Sequence, residues 1–171
     1  SDLRKPLTPE AHALVDWRAV HLAKGTVRLG KPGMRIDLGA IGKGFTADEM
    51  RRTLNRRDIS RLLIAASGDI VCGDPPPGQR GWSVLAAGRT LTLRRAAVST
   101  SGDTTQYFVQ DGRRLSHILD PRTGASMTDL LEVAVAAPNG MIADALSTAT
   151  RVLGHAAAGP VLRAYRATAL L

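Results

Sequence analysis

The pattern of apolar and polar positions predicts a chain built mainly of short strands. In segments of four to six residues, apolar residues either alternate with polar ones or follow one another without interruption, as they do along the strands of a sheet. The run at 62–66 contains no polar residue, which predicts a strand that is covered on both faces. The predicted strands lie at 26–29, 34–38, 62–66, 82–85, 90–93, 106–110, 113–117 and 131–136.

Turn-forming residues between these segments predict how the strands connect. Asp111-Gly112 separates the sixth strand from the seventh and is typical of a two-residue type I′ turn, so a β-hairpin is predicted there. A turn at 30–33 is predicted to join the first two strands. The Pro-rich stretch 73–81 is predicted to be a surface loop.

Helical spacing of apolar residues predicts four helices. The sequence Thr-Pro-Glu at 8–10 is a helix start signal, and the apolar residues after it would share one face: Ala13, Leu14, Trp17 and Val20. A second helix is predicted at 45–55, with three plausible buried side chains: Phe45, Met50 and Leu54. A third helix, at 141–153, is predicted to close at Gly154, and the Ala-rich tail from His155 predicts the fourth.

This organisation indicates one domain of the α+β class. Strands outnumber helices and neighbouring strands are often joined by hairpins, so we expect a mixed, mainly antiparallel sheet with flanking helices. No repeat or linker interrupts residues 1–171, and 44% hydrophobic residues provide enough apolar surface for a core. No apolar run approaches the roughly 20 residues that span a bilayer, and no signal peptide is visible.

Charge and cysteine content narrow the classes of function. The formal charge of +8 would attract polyanions, but the basic residues are scattered apart from one group: Arg51, Arg52, Arg56 and Arg57. With few aromatic residues and no RNA-recognition motif, a nucleic-acid partner is not expected. The single cysteine, Cys72, follows an apolar run and is expected to be a buried, inert thiol. Four dispersed histidines show no zinc-ligand spacing.

A glycine-rich segment precedes the helix predicted at 45–55. Gly39, Gly42 and Gly44 would let the backbone approach a phosphate closely, and a helix N-terminus beside Lys43 would favour an anion. The spacing matches neither a Walker loop nor a dinucleotide fingerprint. A strand-to-helix turn crowded against the sheet therefore stays open as the alternative interpretation.

Two polar residues on the third predicted helix have a spacing suited to a metal. Asp144 and Thr148 are four residues apart and project from one helix face. Carboxylate and hydroxyl oxygens are hard ligands suited to Mg²⁺, especially where the phosphates of a substrate complete the coordination. The alternative is an acid at a helix start and a threonine that faces the core.

The segment 115–124 gathers polar groups where a strand opens into a loop. His117, Asp120, Arg122 and Thr123 lie within it, and Gly124 permits a tight turn. A histidine can donate or accept a proton near neutral pH. An ordinary strand-end turn, in which Asp120 and Thr123 satisfy local backbone amides, is the alternative.

Taken in order, five segments resemble the ApbE family, from about Val27 to Gly154. The segments lie at 37–44, 66–70, 100–103, 115–124 and 143–148. Members of this family are flavin transferases that move FMN from FAD onto a threonine of a protein, with release of AMP. The resemblance implies FAD as substrate, Mg²⁺ as cofactor and an acceptor protein with a target threonine as partner.

The resemblance also implies which residues form the site. The metal ligands would be Asp144, Thr148 and the backbone carbonyl of Gly42. His117, with Asp120 beside it, would carry acid–base or phosphate-positioning work. Ten residues of the five segments would bind the diphosphate and the flavin: Gly39, Gly42, Lys43, Gly68, Asp69, Thr100, Ser101, Gly102, Arg122 and Thr123.

Two departures from the family pattern leave other functions open. Family members are longer, so the chain is expected to be the C-terminal part of a longer protein, and Ser67 stands where the family usually has glycine. The alternatives are a non-catalytic FAD- or nucleotide-binding domain, a degenerate domain with part of the pocket, and an FAD pyrophosphatase. The resemblance further implies a bacterial cell-envelope location, with membrane attachment only through an N-terminal anchor.

Overall fold

The contacts within the chain define two compact units. The computed structural model describes residues 7–102, 107–110, 112–128 and 132–170. The first unit falls within 1–37 and 106–129, and the second within 38–105 and 130–171. In these described ranges, no helix is long and apolar enough to cross a membrane.

The described residues form helices and antiparallel strands, which confirms the predicted α+β class. The α-helices are α1 (Pro9–His12), α2 (Gly42–Asn55), α3 (Gly140–Leu153) and α4 (His155–Ala164), and a 3₁₀ turn spans Trp17–Ala19. The strands are β1 (Val20–Ala23), β2 (Thr26–Leu29), β3 (Leu63–Ala66), β4 (Asp69–Cys72), β5 (Trp82–Ala86), β6 (Arg89–Leu93), β7 (Ala97–Ser101), β8 (Tyr107–Gln110), β9 (Arg113–Ser116), β10 (Val133–Ala137) and β11 (Thr168–Leu170).

A five-stranded antiparallel sheet, in the order β11-β10-β7-β4-β3, lies at the centre of the second unit. Because side chains alternate along a strand, each inner strand contributes to a core on either face. The helix side, under α2 and α3, includes Ala47, Leu62, Ile64, Val71, Ala97, Ala137 and Ala143. The other side, under the β5-β6 hairpin, includes Cys72, Val84, Ala86, Leu93, Val98, Ala134 and Leu170.

Helices α2 and α3 are in close contact at two glycines. A Cβ atom on Gly140 would lie 2.6 Å from the carbonyl oxygen of Gly44, so neither position has room for a side chain. Asp48 on α2 is 1% exposed, and its carboxylate accepts hydrogen bonds from the backbone N–H groups of Gly140 (3.0 Å) and Met141 (2.9 Å). These bonds satisfy donors that the start of α3 would otherwise leave unpaired, and they fix one helix against the other.

The first unit contains two hairpins and the short helix α1. β8 pairs with β9 in the register Gln110↔Arg113, which confirms the predicted hairpin. The backbone N–H of Leu7 donates to the carbonyl oxygen of Gly124 (3.0 Å), so the start of the described chain is held beside the 115–124 segment. Some residues named in the predictions lie outside the described residues: Asp103, Gln106, Asp111 and Leu131.

The structure corrects the prediction of one helix face from Ala13 to Val20. Helix α1 ends at His12, Trp17 lies in the 3₁₀ turn, and Val20 begins β1. The Asp16 side chain accepts a hydrogen bond from the backbone N–H of Arg18 (3.1 Å), which offers the backbone an alternative to continuing the helix.

The strand predicted at 34–38 is also wrong. These residues have no strand conformation, and β2 pairs with β1 in the register Ala23↔Thr26. Gly25, with φ of +74°, supplies the left-handed turn conformation between them. The turn at 30–33 therefore does not join two strands.

Burial differs from prediction in α2 and β3. Phe45 and Met50 are 48% and 49% exposed, because α2 contacts the rest of the unit through small residues, whereas Leu54 packs against the core as predicted. β3 is an edge strand and Leu63 on it is 36% exposed, so the run at 62–66 is not covered on both faces.

The buried thiol of Cys72 gives a first testable prediction. Cys72 is free and 0% exposed, and burial raises its pKa to about 11. Because the thiolate is the reactive form, we expect iodoacetamide at pH 8 to leave native Cys72 unmodified and to label it fully in guanidinium chloride. Mass spectrometry measures the labelling. Rapid modification of the native protein would show that β4 is accessible.

Candidate functional site

A cleft of about 540 Å³ lies beside the N-terminus of α2 in the second unit. Its lining residues come from the glycine-rich segment, from the first turn of α2 and from the end of β3: Leu38, Gly39, Gly42, Lys43, Thr46, Ala66 and Ser67. The structure therefore brings Gly39, Gly42 and Lys43 together at one opening. Backbone N–H groups at the start of a helix favour an anion at such a position.

Lys43 lies between two buried carboxylates at this cleft. Its Nζ atom is 3.2 Å from Asp69 Oδ2 and 3.4 Å from Asp144 Oδ1. Asp69 and Asp144 are each 2% exposed. Three of the residues predicted from the sequence, two binding residues and one metal ligand, thus form one charged cluster. We call Lys43, Asp69 and Asp144 the charge cluster.

Each carboxylate of the charge cluster is held by a further donor. The backbone N–H of Gly44 donates to Asp144 Oδ2 (2.9 Å), and the hydroxyl of Ser99 donates to Asp69 Oδ1. Both acids stand on rigid elements, since Asp144 is on α3 and Asp69 begins β4. The oxygen atoms are therefore fixed in place by the fold.

The electrostatic environment keeps a positive charge in the cluster. Burial raises the pKa of Asp69, the Ser99 hydrogen bond lowers it, and the charge of Asp144 raises it further, with a net increase. Burial of the Lys43 ammonium by itself lowers its pKa, but the charges of Asp69 and Asp144 outweigh this, so the pKa is raised overall. Lys43 therefore stays protonated at neutral pH.

A row of hydroxyl groups continues from the charge cluster between β7 and α3. Ser147 Oγ donates to the carbonyl oxygen of Asp144 (2.9 Å) and lies 3.3 Å from Ser99 Oγ. One residue further along α3 and two residues further along β7, Thr148 Oγ1 donates to Ser101 Oγ at 3.5 Å. The predicted residues Ser101 and Thr148 are thus adjacent, and the same helix face carries Asp144 and Thr148.

The turn before Asp69 contains Ser67, the serine that replaces the glycine expected from the family resemblance. Ser67 and Gly68 have φ values of +50° and +94° and connect β3 to β4 through the pair Ala66↔Asp69, as in a type I′ turn. Ser67 therefore adopts the left-handed conformation that a glycine would favour, although strain of about 1–2 kcal/mol accompanies it. The serine therefore contributes a side chain to the lining of the cleft.

The remaining predicted binding residues of the second unit lie at the end of β7. The backbone N–H of Thr100 donates to the carbonyl oxygen of Gly68 (3.2 Å), which ties this strand to the turn before Asp69. Gly102 follows β7, and a Cβ atom there would lie 3.2 Å from Cγ of Glu132. These contacts place Thr100 beside the turn and Gly102 against the start of β10.

The predicted residues of the first unit form a local turn. The Asp120 carboxylate accepts from the guanidinium of Arg122 (2.7 Å from Nη2) and from its backbone N–H (2.9 Å), and these hydrogen bonds lower the pKa of Asp120. Thr123 Oγ1 accepts from the backbone N–H of Ala125 (3.2 Å). His117 is exposed, directly after β9. These hydrogen bonds are the ones expected if the segment is an ordinary turn at the end of a strand. The catalytic roles of His117 and Asp120 stay predictions.

Sequence reasoning assigned no role to Ser99, Ser147 or Asp48, each of which makes a hydrogen bond in the second unit. Ser99 and Ser101 are two residues apart on β7, so the alternation of a strand places both on one face. That spacing could have identified Ser99 as a partner of the site. Asp48 has no such signal, because its role depends on which helix end lies beside α2.

The oxygen donors of the predicted ligand set are of the chemical type that suits a small hard cation. The groups available are the carboxylate of Asp144, the hydroxyl of Thr148 and the carbonyl oxygen of Gly42, which accepts from Thr46 Oγ1 at 2.8 Å. All are oxygen donors, as Mg²⁺ prefers, and one carboxylate suffices where phosphates supply further ligands. The ammonium of Lys43 already lies against Asp144, which shows that the position attracts positive charge.

Known proteins with similar sequences and folds include named flavin transferases. An FAD:protein FMN transferase from Treponema pallidum is 35% identical over 181 residues, covering 91% of this chain and 50% of the relative. A variant of the flavin transferase ApbE from Vibrio cholerae has a TM-score of 0.81 at 26% identity, covering 96% of this chain and 56% of that one. The ApbE protein from Thermotoga maritima has a TM-score of 0.79 at 32% identity, covering 92% of this chain and 54% of that one.

Each of these matches covers more than nine-tenths of this chain. The chain spans about half the length of the relatives it matches. The model of the ApbE family matches residues 5–171. The chain therefore belongs to the ApbE family.

Proposed function

We propose that this chain carries the reaction centre of an Mg²⁺-dependent FAD:protein FMN transferase, which moves FMN from FAD to a threonine of an acceptor protein and releases AMP. The observation that carries the proposal is the charge cluster, with Lys43 between Asp69 and Asp144, at a cleft beside the start of α2. An anion-binding helix end next to a cation-binding carboxylate suits a diphosphate with its counter-ion.

The residues of the cleft would bind and orient the diphosphate. The backbone at Gly39 and Gly42 and the ammonium of Lys43 would contact its oxygen atoms, and the cation would be held by Asp144, Thr148 and the Gly42 carbonyl. When bound, Mg²⁺ would supply Lewis-acid stabilisation of the charge that develops on the phosphoryl oxygens. Catalysis of phosphoryl transfer depends mainly on such positioning and charge neutralisation.

The covalent step exchanges one phosphorus–oxygen bond for another. The threonine hydroxyl of the acceptor attacks the FMN-side phosphorus of FAD, the bond to the AMP phosphate breaks, and AMP leaves. The hydroxyl proton passes to a base, for which His117 is the candidate because a histidine can accept a proton near neutral pH. Asp120 would act beside it in the same turn.

A transfer assay with a threonine peptide tests this function. The protein, FAD and Mg²⁺ are incubated with the peptide, and flavin bound to it is measured by fluorescence and mass spectrometry, with AMP measured in parallel. We expect equal amounts of flavinylated peptide and AMP, both lost in EDTA. His117→Gly should reduce transfer while FAD binding persists.

Other outcomes of the same assay separate the alternatives. AMP without flavinylated peptide would indicate an FAD pyrophosphatase. Saturable FAD binding without AMP would indicate a binding domain, and the absence of any FAD binding would contradict the proposed function.

A further inference from the structure

The members of the charge cluster differ in their freedom to move. The side chains of Asp69 and Asp144 are 2% and 3% exposed, and each is fixed by a hydrogen bond from Ser99 or Gly44. The side chain of Lys43 is 46% exposed and lines the cleft. The ammonium can therefore change its position without disturbing the core, whereas the carboxylates cannot.

The charges of the cluster do not balance. Two carboxylates face a single ammonium, so one negative charge is left over when both acids are ionised. Lys43 Nζ lies close to both acids, at 3.2 Å from Asp69 and 3.4 Å from Asp144. A second cation at Asp144 would therefore meet Lys43 at the same carboxylate, and like charges at this distance repel strongly in a poorly hydrated site.

We propose that Lys43 is a built-in competitor for the cation site, which neutralises Asp144 in the metal-free protein and withdraws toward Asp69 and the cleft when a divalent cation binds. The inference rests on the proposed function and deepens it. Asp69 then acts as a positioning residue, because it retains the ammonium at the edge of the cleft. At the edge of the cleft, the Lys43 ammonium can form an ion pair with the diphosphate.

This arrangement couples the two ligands. A cation that binds alone must displace Lys43 from Asp144, so its binding is weakened. A diphosphate in the cleft attracts the displaced ammonium and compensates for the lost ion pair, so each ligand strengthens the binding of the other by the same factor. The protein is therefore expected to bind metal and nucleotide together more readily than either alone.

Replacing Lys43 with methionine tests the competition, because the affinity for a metal ion should rise while the affinity for FAD should fall. Mn²⁺, which takes the same oxygen ligands as Mg²⁺, is titrated into nucleotide-free protein while the free ion is followed by electron paramagnetic resonance. We expect Lys43→Met to bind Mn²⁺ about fivefold more tightly, or better, and to bind FAD in excess Mg²⁺ at least about fivefold more weakly. Lys24→Met, which removes the same charge from an exposed position in the first unit, should change neither affinity.

A double-mutant cycle with Asp69→Asn tests the positioning role. If Asp69 acts by holding Lys43, Asp69→Asn weakens Mn²⁺ binding in the wild-type background and has little effect in the Lys43→Met background. Equal weakening in both backgrounds would show that Asp69 attracts the cation directly, and would overturn this role. Thermal unfolding of each variant confirms that it is folded.

Failure of the inference differs from failure of the proposed function. Mn²⁺ binding that is unchanged or weaker in Lys43→Met overturns the competition, even if the wild-type protein transfers FMN. Absence of metal-dependent FAD binding in the wild-type protein contradicts the proposed function, whatever the response of Mn²⁺ to Lys43→Met.

Discussion

Replacing Asp144 with asparagine is expected to reduce FMN transfer by about a hundredfold or more, an effect of the size seen when a group that stabilises transition-state charge is removed. Asp144 is the one carboxylate in the proposed metal-ligand set, and it also faces Lys43. An amide keeps a carbonyl oxygen that can accept the hydrogen bond from Gly44 N–H but loses the negative charge. The rate of peptide flavinylation in saturating FAD and Mg²⁺ measures the effect.

Comparison with Asp144→Ala separates chemistry from folding. Alanine removes the acceptor for a buried N–H as well as the charge, which costs about 1–3 kcal/mol of stability. Both variants should lose transfer, whereas Asp144→Asn should unfold closer to the wild-type temperature. An Asp144→Asn variant that transfers FMN at the wild-type rate would exclude Asp144 as a metal ligand.

Replacing Gly44 with alanine is expected to destabilise the second unit by about 3 kcal/mol or more, or to prevent folding. The new Cβ atom would overlap the carbonyl oxygen of Gly140 and lie 2.8 Å from Cβ of Asp144. These neighbours are helix backbone and the first atom of a buried side chain, so they cannot move without separating α2 from α3. Urea-induced unfolding followed by circular dichroism measures the change.

Gly42 provides the matched control for this prediction. It lies two residues earlier on α2, and a Cβ atom there has no neighbour within 4 Å. Gly42→Ala should therefore change the free energy of unfolding by less than about 1 kcal/mol. Equal stability of the two alanine variants would show that the helices are not in close contact at Gly44.

The sequence predicted the fold class and seven of the eleven described strands, but not β1, β4, β7 or β11. The strands β5 and β6, the hairpin β8-β9, and the helix that ends before Gly154 follow from alternation, turn residues and a helix stop. Burial was predicted less well. Phe45 and Met50 have the helical spacing of core residues, but the partner of α2 is another helix approached through glycine, which spacing within one helix cannot reveal.

The residues of the charge cluster could be named from the sequence, but their arrangement could not be predicted. Lys43, Asp69 and Asp144 were each identified from their own segment, two of them as binding residues and one as a metal ligand. That they share one ion-pair network depends on the crossing of α2 over the sheet beside α3, which involves contacts distant in sequence. The hydrogen bond from the Ser99 hydroxyl to Asp69 was not predicted for the same reason.

The hydrogen bonds from Asp48 to the start of α3 have a consequence for ligand-induced motion. Together with the glycine contact, they join the helix that carries Lys43 and the helix that carries Asp144 into one stiff body. Sliding of one helix past the other would break both hydrogen bonds at once. Under the proposed function, a nucleotide would therefore meet a pair of helices that keep their relative position, and adaptation at this contact would come from side chains at the rim of the cleft.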